Sequence, residues 1–251
     1  MTGSNHSTNP GPGGLLFGIY AWLVFIVCVF FAILSAVIVP GLERRRRWVA
    51  TCGRLIFTLT RVHTTVRGLE KLPAGDSVVV ANHASYIDGV LLQAFLPPRF
   101  SFVIKGEMRD MPAVGWLLRR VGSKFVERFD TSGSARDARH LLKAASKGES
   151  LAIFPEGTFI KEPGLGRFRA GAFVAASNAG VPIVPIAILG SRKIYPAGVL
   201  LPRHGHLAIE ILNPIDQSEA AYANSKQLAE LARQSILEVL DEPDLLADPA
   251  D

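Results

Sequence analysis

The sequence predicts an α/β domain with a largely parallel sheet, preceded by an N-terminal membrane helix. After residue 76, short apolar runs alternate with longer helical stretches, and ahead of them stands one long uncharged apolar run. Short uninterrupted apolar runs are typical of strands that helices cover on both faces. A length of 251 residues fits one catalytic domain plus an appendage.

Composition excludes several classes of protein. The 23 Gly and 16 Pro show no period and aliphatic residues are abundant, which excludes collagen-like and disordered chains. Cys28 and Cys52 are the only cysteines, too few for a disulfide framework or a cysteine-built zinc site. Residues 1–240 carry 27 basic against 17 acidic side chains. This surplus predicts an anionic partner, a membrane surface or phosphorylated small molecule, and no nucleic-acid module is present.

Leu15 to Val39 is the predicted membrane helix. These 25 residues contain no charge, and as a helix they extend about 37 Å, more than the ~30 Å of a bilayer core. Residues 1–14, a predicted flexible N-terminus, contain no Lys or Arg. A cleavable signal peptide would need a basic segment there, so an anchor is favoured.

The anchor is followed by a basic cluster and a second helix. Four arginines, Arg44 to Arg47, follow Pro40 and Gly41. By the positive-inside rule they place the catalytic domain on the cytoplasmic face, and they suit anionic headgroups. Trp48 to Thr60 is too short and too charged to span, which favours an interfacial helix. The sequence leaves open a second arrangement, in which residues 15–60 form a helical hairpin that enters one leaflet.

Residues 61–240 carry the predicted catalytic domain. The predicted strands are Ser77–Ala81, Phe100–Ile104, Leu151–Phe154, Ile183–Leu189 and His206–Leu212. The predicted helices are Asp88–Leu96, Ala113–Val121, Ser134–Ala145 and Ala170–Asn178, with Gly148 and Gly180 after the last two. Active sites in such domains gather where the strands end.

A final helix and a tail complete the predicted domain. Asp216, with Glu219 three residues later, resembles a helix-capping signal, and apolar residues from Leu228 to Val239 repeat at helical spacing. Residues 241–251 contain five acidic side chains, two prolines and no basic residue. Such a composition predicts a disordered tail.

His83 and Asp88 are the predicted catalytic pair. They follow the first predicted strand in Asn82-His83-Ala84-Ser85-Tyr86-Ile87-Asp88. In one continuous helix the two would lie about 140° apart around the axis. A loop between strand and helix instead lets the carboxylate reach the imidazole, fix its tautomer and stabilise its protonated form. No enzyme nucleophile accompanies the pair, so the proton to be removed would come from a substrate hydroxyl.

Three further blocks have ordinary structural interpretations when taken alone. Phe154 to Thr158 is a Pro/Gly turn after a strand. Gly122 to Arg128 ends in an arginine that could hold a phosphate or form a surface ion pair. Val181 to Ile188 is a strand with two prolines, a pattern of an edge or irregular wall.

Together the four blocks resemble the glycerolipid acyltransferase family, which contains the 1-acylglycerol-3-phosphate acyltransferases. NHxxxxD is matched by Asn82, His83 and Asp88, and GxxFxxR by Gly122, Phe125 and Arg128. FPEGT is matched by Phe154 to Thr158, and the proline-rich block by Val181 to Ile188. The resemblance covers roughly residues 65–215, with the blocks in the expected order.

The resemblance implies both a reaction and a set of residues. His83, oriented by Asp88, would deprotonate the sn-2 hydroxyl of 1-acylglycerol-3-phosphate, which attacks the thioester of acyl-CoA or acyl carrier protein to give phosphatidate. No metal or bound cofactor is implied; the acyl thioester is a co-substrate. The implied substrate-binding residues are Asn82, Lys105, Gly122, Arg128, Glu156, Gly157 and Thr158, with Arg128 and Lys105 as phosphate contacts.

One departure from the family pattern bears on the acceptor. Family members that use lysophosphatidate commonly have an arginine directly after FPEGT, and this chain has Phe159. Another lysophospholipid or a lyso-ornithine lipid is therefore an alternative acceptor. The sequence leaves two other functional classes as alternatives. A metal-dependent hydrolase would use His83 and Asp88 as ligands but lacks a companion ligand motif. A non-catalytic, membrane-tethered lipid-binding protein would consume no thioester.

Overall fold

The computed structural model describes residues 12–126 and 139–247. It begins with two helices, α1 (Pro12–Ile38) and α2 (Leu42–Leu59). Small residues at helical spacing form the buried stripe of α1: Ala21, Val24, Cys28, Ala32 and Ala36. The opposite face of α1 exposes large apolar side chains along its whole length, Leu16, Ile26, Phe30 and Ile38 among them. By length and composition alone, this helix could cross a membrane.

α2 is fastened to the domain by arginines of the basic cluster. Arg46 is buried and donates hydrogen bonds to the carbonyls of Pro98, Arg99 and Val121 and to Ser101 Oγ, at 2.6–3.1 Å. Arg45 Nη1 donates to the carbonyl of Arg120 at 2.6 Å. The prediction that all four arginines suit headgroups is therefore wrong for Arg46, whose guanidinium is fully used inside the protein.

Seven strands form one sheet in the order β1-β7-β6-β2-β5-β3-β4. They are β1 (His63–Arg67), β2 (Val78–Ala81), β3 (Ser101–Lys105), β4 (Lys124–Val126), β5 (Leu151–Ile153), β6 (Ile183–Leu189) and β7 (His206–Ile211). Every pair is parallel except β6 with β7. The predicted mixed, largely parallel sheet flanked by helices is confirmed.

Helices cover both faces of the sheet. They are α3 (Asp88–Phe95), α4 (Val114–Arg120), α5 (residues 139–145), α6 (Gly171–Ala179), α7 (Ser191–Ile194) and α8 (Ser225–Leu237). Along β2, Val78 and Val80 face the core shared with α5, α6 and α8, while Val79 and Ala81 face the core shared with α2 and α3. This alternation is the reason the strand is apolar at every position.

Two strands were not predicted, and one predicted cap is wrong. β1 is an edge strand of mostly polar residues, and β4 has only three residues, so neither gives an apolar run. Asp216 and Glu219 do not cap the last helix. The carboxylate of Asp216 accepts from Ser218 in a local turn, and α8 begins later, where Asn224 Oδ1 accepts from the amides of Lys226 and Gln227.

The segment after Asp241 also differs from its prediction. Residues 241–247 are not a disordered tail, because their acidic side chains pair with arginines of the domain. Glu242 binds Arg192, and Asp244 binds Arg233, while Asp244 forms an isolated β-bridge with Leu165. Residues 1–11 of the predicted flexible N-terminus, residues 134–138 of the predicted helix and residues 248–251 lie outside the described part.

Candidate active site

His83 and Asp88 meet at the carboxyl end of β2. The chain leaves the sheet at Ala81, and Asp88 is the first residue of α3, so the intervening loop reverses onto itself. His83 Nδ1 lies 2.9 Å from Asp88 Oδ2. The contact that the sequence predicts is therefore present. With Nδ1 bound to the carboxylate, the lone pair of Nε2 is available to take a proton.

The backbone of the same loop holds the carboxylate in place. Asp88 is fully buried, and its Oδ2 also accepts from the amides of Ala84 and Ser85 at 2.7 and 2.8 Å. Three contacts on one oxygen, from the imidazole and two amides, fix the carboxylate. Within the described residues, no group of three His, Cys, Asp or Glu side chains is arranged to hold a metal ion.

Aromatic rings enclose the imidazole. Phe154 stacks on His83 with centroids 4.2 Å apart, and Phe159 meets it edge-on at 4.5 Å. Phe159 also contacts Tyr86, whose ring lies 5.1 Å from that of Tyr195. The His83 side chain remains 17% exposed. One part of the ring is therefore open to a substrate while most of it is shielded from water. No pattern in the sequence indicates that Phe159 packs against His83 or that Tyr86 supports that ring.

Glu156 supports the backbone beside the base. Its Oε1 accepts from the amide of His83 at 2.7 Å and its Oε2 accepts from the amide of Gly166 at 3.1 Å. Burial raises the pKa of this carboxyl, and the two amides together with the charges of His83 and Arg192 partly oppose the rise. Glu156 was predicted to bind substrate. Each of its oxygens accepts from a main-chain amide, which holds the backbone of His83 in place, and substrate binding by Glu156 stays a prediction.

The side chain of Asn82 binds the neighbouring strand β6. It is buried, with Nδ2 donating to the carbonyl of Ile188 at 3.0 Å and Oδ1 accepting from the amide of Ile188 at 2.7 Å. The amide therefore continues the hydrogen bonding between β2 and β6 beyond the last backbone pair. This gives Asn82 a structural role, and its contact with substrate stays a prediction.

Gly122 lies at the other edge of the sheet from His83. It precedes β4, at the amino edge of the sheet, whereas His83 follows the carboxyl end of β2. Its φ is +75°, and a methyl group there would lie 3.0 Å from Arg46 Nη2. The glycine therefore permits the close approach of α2. Its position gives it a structural role, and substrate binding by Gly122 stays a prediction.

The remaining predicted residues lie at the carboxyl edge or outside the described part. Lys105 ends β3, two strands from β2 and thus about 10 Å away across the sheet, and its Nζ lies 2.8 Å from Glu107. Gly157 has φ +85° and ends the turn closed by its amide on the carbonyl of Phe154. Thr158 is exposed. Arg128 lies outside the described residues.

An apolar cavity of about 210 Å³ lies next to the site. It is bounded by α1, α2 and the segment from Tyr86 to Val90, and its wall includes Trp22, Phe57, Tyr86 and Tyr195. Trp22 contacts Tyr195 at 6.1 Å, and Tyr195 contacts Tyr86. A cavity lined by such side chains suits a hydrocarbon chain.

Comparison with known proteins gives consistent results. A family model described as Acyltransferase matches residues 63–189. A 1-acyl-sn-glycerol-3-phosphate acyltransferase of Brassica napus is 32% identical over 82% of this chain and 62% of its own length. A lyso-ornithine lipid O-acyltransferase of Pseudomonas aeruginosa is 30% identical over 80% of this chain and 79% of its own length.

A solved structure matches the fold. The 1-acyl-sn-glycerophosphate acyltransferase of Thermotoga maritima superposes with a TM-score of 0.72 over 90% of this chain and 96% of that one, at 24% identity. The chain spans about half to three fifths of the length of the first two curated plant relatives. The family resemblance seen in the sequence is confirmed: the chain belongs to the Acyltransferase family.

Proposed function

We propose that the protein is a membrane-bound O-acyltransferase that moves a fatty acyl group from acyl-CoA or acyl carrier protein to the sn-2 hydroxyl of 1-acylglycerol-3-phosphate, giving phosphatidate. The contact between His83 Nδ1 and the buried carboxylate of Asp88 carries the proposal. It supplies a general base with a fixed tautomer, and the relatives named for this reaction belong to the same family.

His83 acts first as a base and then as an acid. Nε2 takes the proton of the acceptor hydroxyl while that oxygen attacks the thioester carbonyl carbon. The C–S bond then breaks, and the imidazolium returns the proton to the leaving thiolate. Asp88 stabilises the imidazolium through Nδ1–H. Such acid–base help contributes about 10² to 10⁴ in rate, so the positioning of both substrates supplies the rest. The reaction needs no metal or bound cofactor.

The proposed substrates use different parts of the site. A fatty acyl chain fits the apolar cavity beside Tyr86 and Tyr195. For the phosphate of the acceptor, the basic candidates are Lys105 at the carboxyl edge of the sheet and Arg128, which follows the end of β4 in the sequence. A guanidinium would bind the phosphate with two hydrogen bonds, and a lysine as a point charge.

The alternative acceptor is a different lysolipid, such as lyso-ornithine lipid. The packing of Phe159 against His83 and Tyr86 favours it, because an apolar ring covers the base at the position where lysophosphatidate users of the family commonly have an arginine. The similarity to a protein named lyso-ornithine lipid O-acyltransferase is comparable to that of the phosphatidate-forming relatives. The two acceptors share the reaction and differ in headgroup charge.

The proposed membrane contact is the exposed apolar face of α1. In its first half, Trp22 Nε1 donates to the carbonyl of Leu200 at 2.9 Å, and near its end the carbonyl of Ala36 accepts from Arg120. The helix therefore rests on the domain at both places. This supports the hairpin arrangement, in which α1 and α2 enter one leaflet, over a helix that crosses away from the domain. Exposed Arg44 and Arg47 favour the cytoplasmic leaflet.

The test is an acceptor panel with matched histidine variants. Detergent-solubilised protein is given radiolabelled acyl-CoA or acyl carrier protein, with lysophosphatidate, lysophosphatidylcholine or lyso-ornithine lipid, with and without a chelator. We expect His83→Ala to lose at least about 10² in rate, and His140→Ala, which removes an exposed imidazole on α5, to keep wild-type activity.

The outcomes separate the candidate functions. Transfer to lysophosphatidate above the other acceptors supports phosphatidate synthesis, whereas transfer mainly to lyso-ornithine lipid supports the alternative. Full activity in His83→Ala refutes the base assignment. Lysolipid binding in both variants, with no thioester consumed by the wild type, points to the non-catalytic class. Loss of wild-type activity on chelation contradicts the metal-free reaction.

A further inference from the structure

The acidic C-terminal segment packs on a loop that leads into the active site. We call residues 241–245 the strap and residues 160–166 the loop. The amide of Leu165 donates to the carbonyl of Pro243 at 2.9 Å, and the amide of Leu245 donates back to the carbonyl of Leu165 at 3.2 Å. Gly164 has φ +135°, and a methyl group there would lie 2.5 Å from Leu245 Cγ. The two segments are therefore in close backbone contact.

Arg192 joins the strap to the beginning of the loop. Its Nε and Nη2 bind the two carboxylate oxygens of Glu242 at 2.9 and 3.0 Å, and its Nη1 donates to the carbonyl of Ile160 at 2.7 Å. Glu242 Oε2 also accepts from the amide of Gly164 at 2.8 Å. The side chains of Arg192 and Glu242 are only 12% and 19% exposed, so solvent screens this pair less than a surface ion pair.

Arg233 holds the other end of the strap. It is almost completely buried on α8 and binds Asp244. The same guanidinium donates to the carbonyls of Leu165 and Gly166 at 3.3 and 3.0 Å. The strap and the loop are thus fixed against each other by two arginines from different elements.

The loop in turn holds the residues around His83. Gly166 at its end donates to Glu156, whose other oxygen accepts from the amide of His83. Ile160 at its start follows Phe159, the ring that contacts the imidazole. Hydrogen bonds and the short chain segments between them therefore connect Glu242, through Gly164 and Arg192, to Glu156 and Phe159.

We propose that Glu242 and Arg192 are positioning residues for acyl transfer, because the strap sets the loop that places Glu156 and Phe159 against His83. This inference rests on the proposed function. Arg192 also attracts Glu156, since its charge lowers the pKa of that carboxyl against the larger effect of burial. Glu242 holds the guanidinium of Arg192 with two hydrogen bonds.

The experiment is a double-variant cycle in the full chain. Glu242→Ala, Arg192→Ala and the double variant are compared with Asp241→Ala, which removes a neighbouring exposed carboxylate that makes no hydrogen bond or ion pair with the described residues. The readouts are kcat, the KM of each substrate, the thermal unfolding midpoint, and the hydrogen exchange of peptides that contain His83 and Gly166.

Expected results follow from the contacts. Glu242→Ala lowers kcat about tenfold, because a misplaced base is costly even below 1 Å. The KM of the acyl donor stays near wild type and exchange at His83 and Gly166 quickens. The unfolding midpoint falls by several degrees, because a partly buried guanidinium loses its partner. Arg192→Ala loses a similar factor, and the double variant loses no more than either single one, since both act through one contact. Asp241→Ala matches wild type.

Three results would overturn the proposal: wild-type kcat and exchange in Glu242→Ala, multiplicative losses in the double variant, or a loss in Asp241→Ala equal to that in Glu242→Ala. Exchange also separates this inference from the proposed function. If the wild type transfers no acyl group yet Glu242→Ala exchanges faster at His83 and Gly166, the reaction is wrong and the strap still positions His83.

Discussion

Asn82→Ala tests whether the asparagine beside the base is structural. Its amide forms two hydrogen bonds with Ile188, at 2.7 and 3.0 Å, and Ile188 is 2% exposed. Truncation leaves a buried N–H and a buried C=O without partners. Each unpaired group costs about 1–3 kcal/mol, so the free energy of unfolding should fall by roughly 2–6 kcal/mol, a large share of the usual 5–15 kcal/mol.

The assay is guanidinium titration in a non-ionic detergent, followed by tryptophan fluorescence. Asn178→Ala serves as the matched control, because this asparagine is exposed on α6 and makes no hydrogen bond within the described residues. We expect the control to lie within about 0.5 kcal/mol of wild type. Where Asn82→Ala is still folded, the KM of the acceptor should be close to that of wild type.

The opposite pattern would refute this reasoning. An Asn82→Ala protein with wild-type stability and a strongly raised acceptor KM would mean that the amide binds substrate, as the motif resemblance implied. The structural account would then fail, since it requires that loss of the two bonds to Ile188 lowers stability.

Three further predictions concern Glu156, Phe159 and Gly68. Burial raises the pKa of Glu156 above its unfolded value, so the contribution of this side chain to stability is present at low pH and is lost as pH rises through the folded pKa. The stability deficit of Glu156→Gln relative to wild type should therefore shrink as pH rises. A deficit that stays constant in pH-dependent melting would contradict this prediction. Phe159→Arg should raise lysophosphatidate use relative to lyso-ornithine lipid by about ten- to hundredfold, since a charge-assisted hydrogen bond contributes roughly 1.5–3 kcal/mol. An unchanged ratio in competition assays would exclude it. Gly68→Ala should lower the melting temperature by several degrees, because φ is +77° and a methyl group would lie 2.3 Å from the carbonyl oxygen of Ile211; Gly75→Ala, which meets nothing within 4 Å, should melt like wild type.

The parts of the fold that the sequence predicts are those with a physical periodicity. β6 is predicted to the residue, because each of its positions is apolar and Gly180 and Gly190 lie beyond its ends. β1 is not predicted, because the sequence of an edge strand with polar faces resembles that of a loop. The predicted cap at Asp216 is wrong because aspartate is equally common in turns and at helix starts. Only the three-dimensional path of the backbone shows which of the two structures it forms.

The site also has a part that the sequence predicts and a part that it does not. The contact of His83 with Asp88 is predictable, since two residues flanking a short strand-to-helix loop are brought together by that loop. The contributions of Phe159 and the strap depend on segments far apart in sequence that meet only in the fold. Composition suggests disorder from Asp241 onward, because five carboxylates with no basic residue among them have no local partner for burial. The arginines that pair with Glu242 and Asp244 lie elsewhere in the chain.

The arginine cluster in the first two turns of α2 shows that neighbouring charges in a sequence can have different roles. Arg44 and Arg47 are exposed and can meet anionic headgroups, whereas Arg46 spends its donors on backbone carbonyls and Ser101. A guanidinium suits the second role because its planar fork satisfies several buried oxygens at once. Those oxygens lie at the amino edge of the sheet, opposite His83. The basic cluster thus anchors α2 at one edge, while the chemistry is assembled at the other.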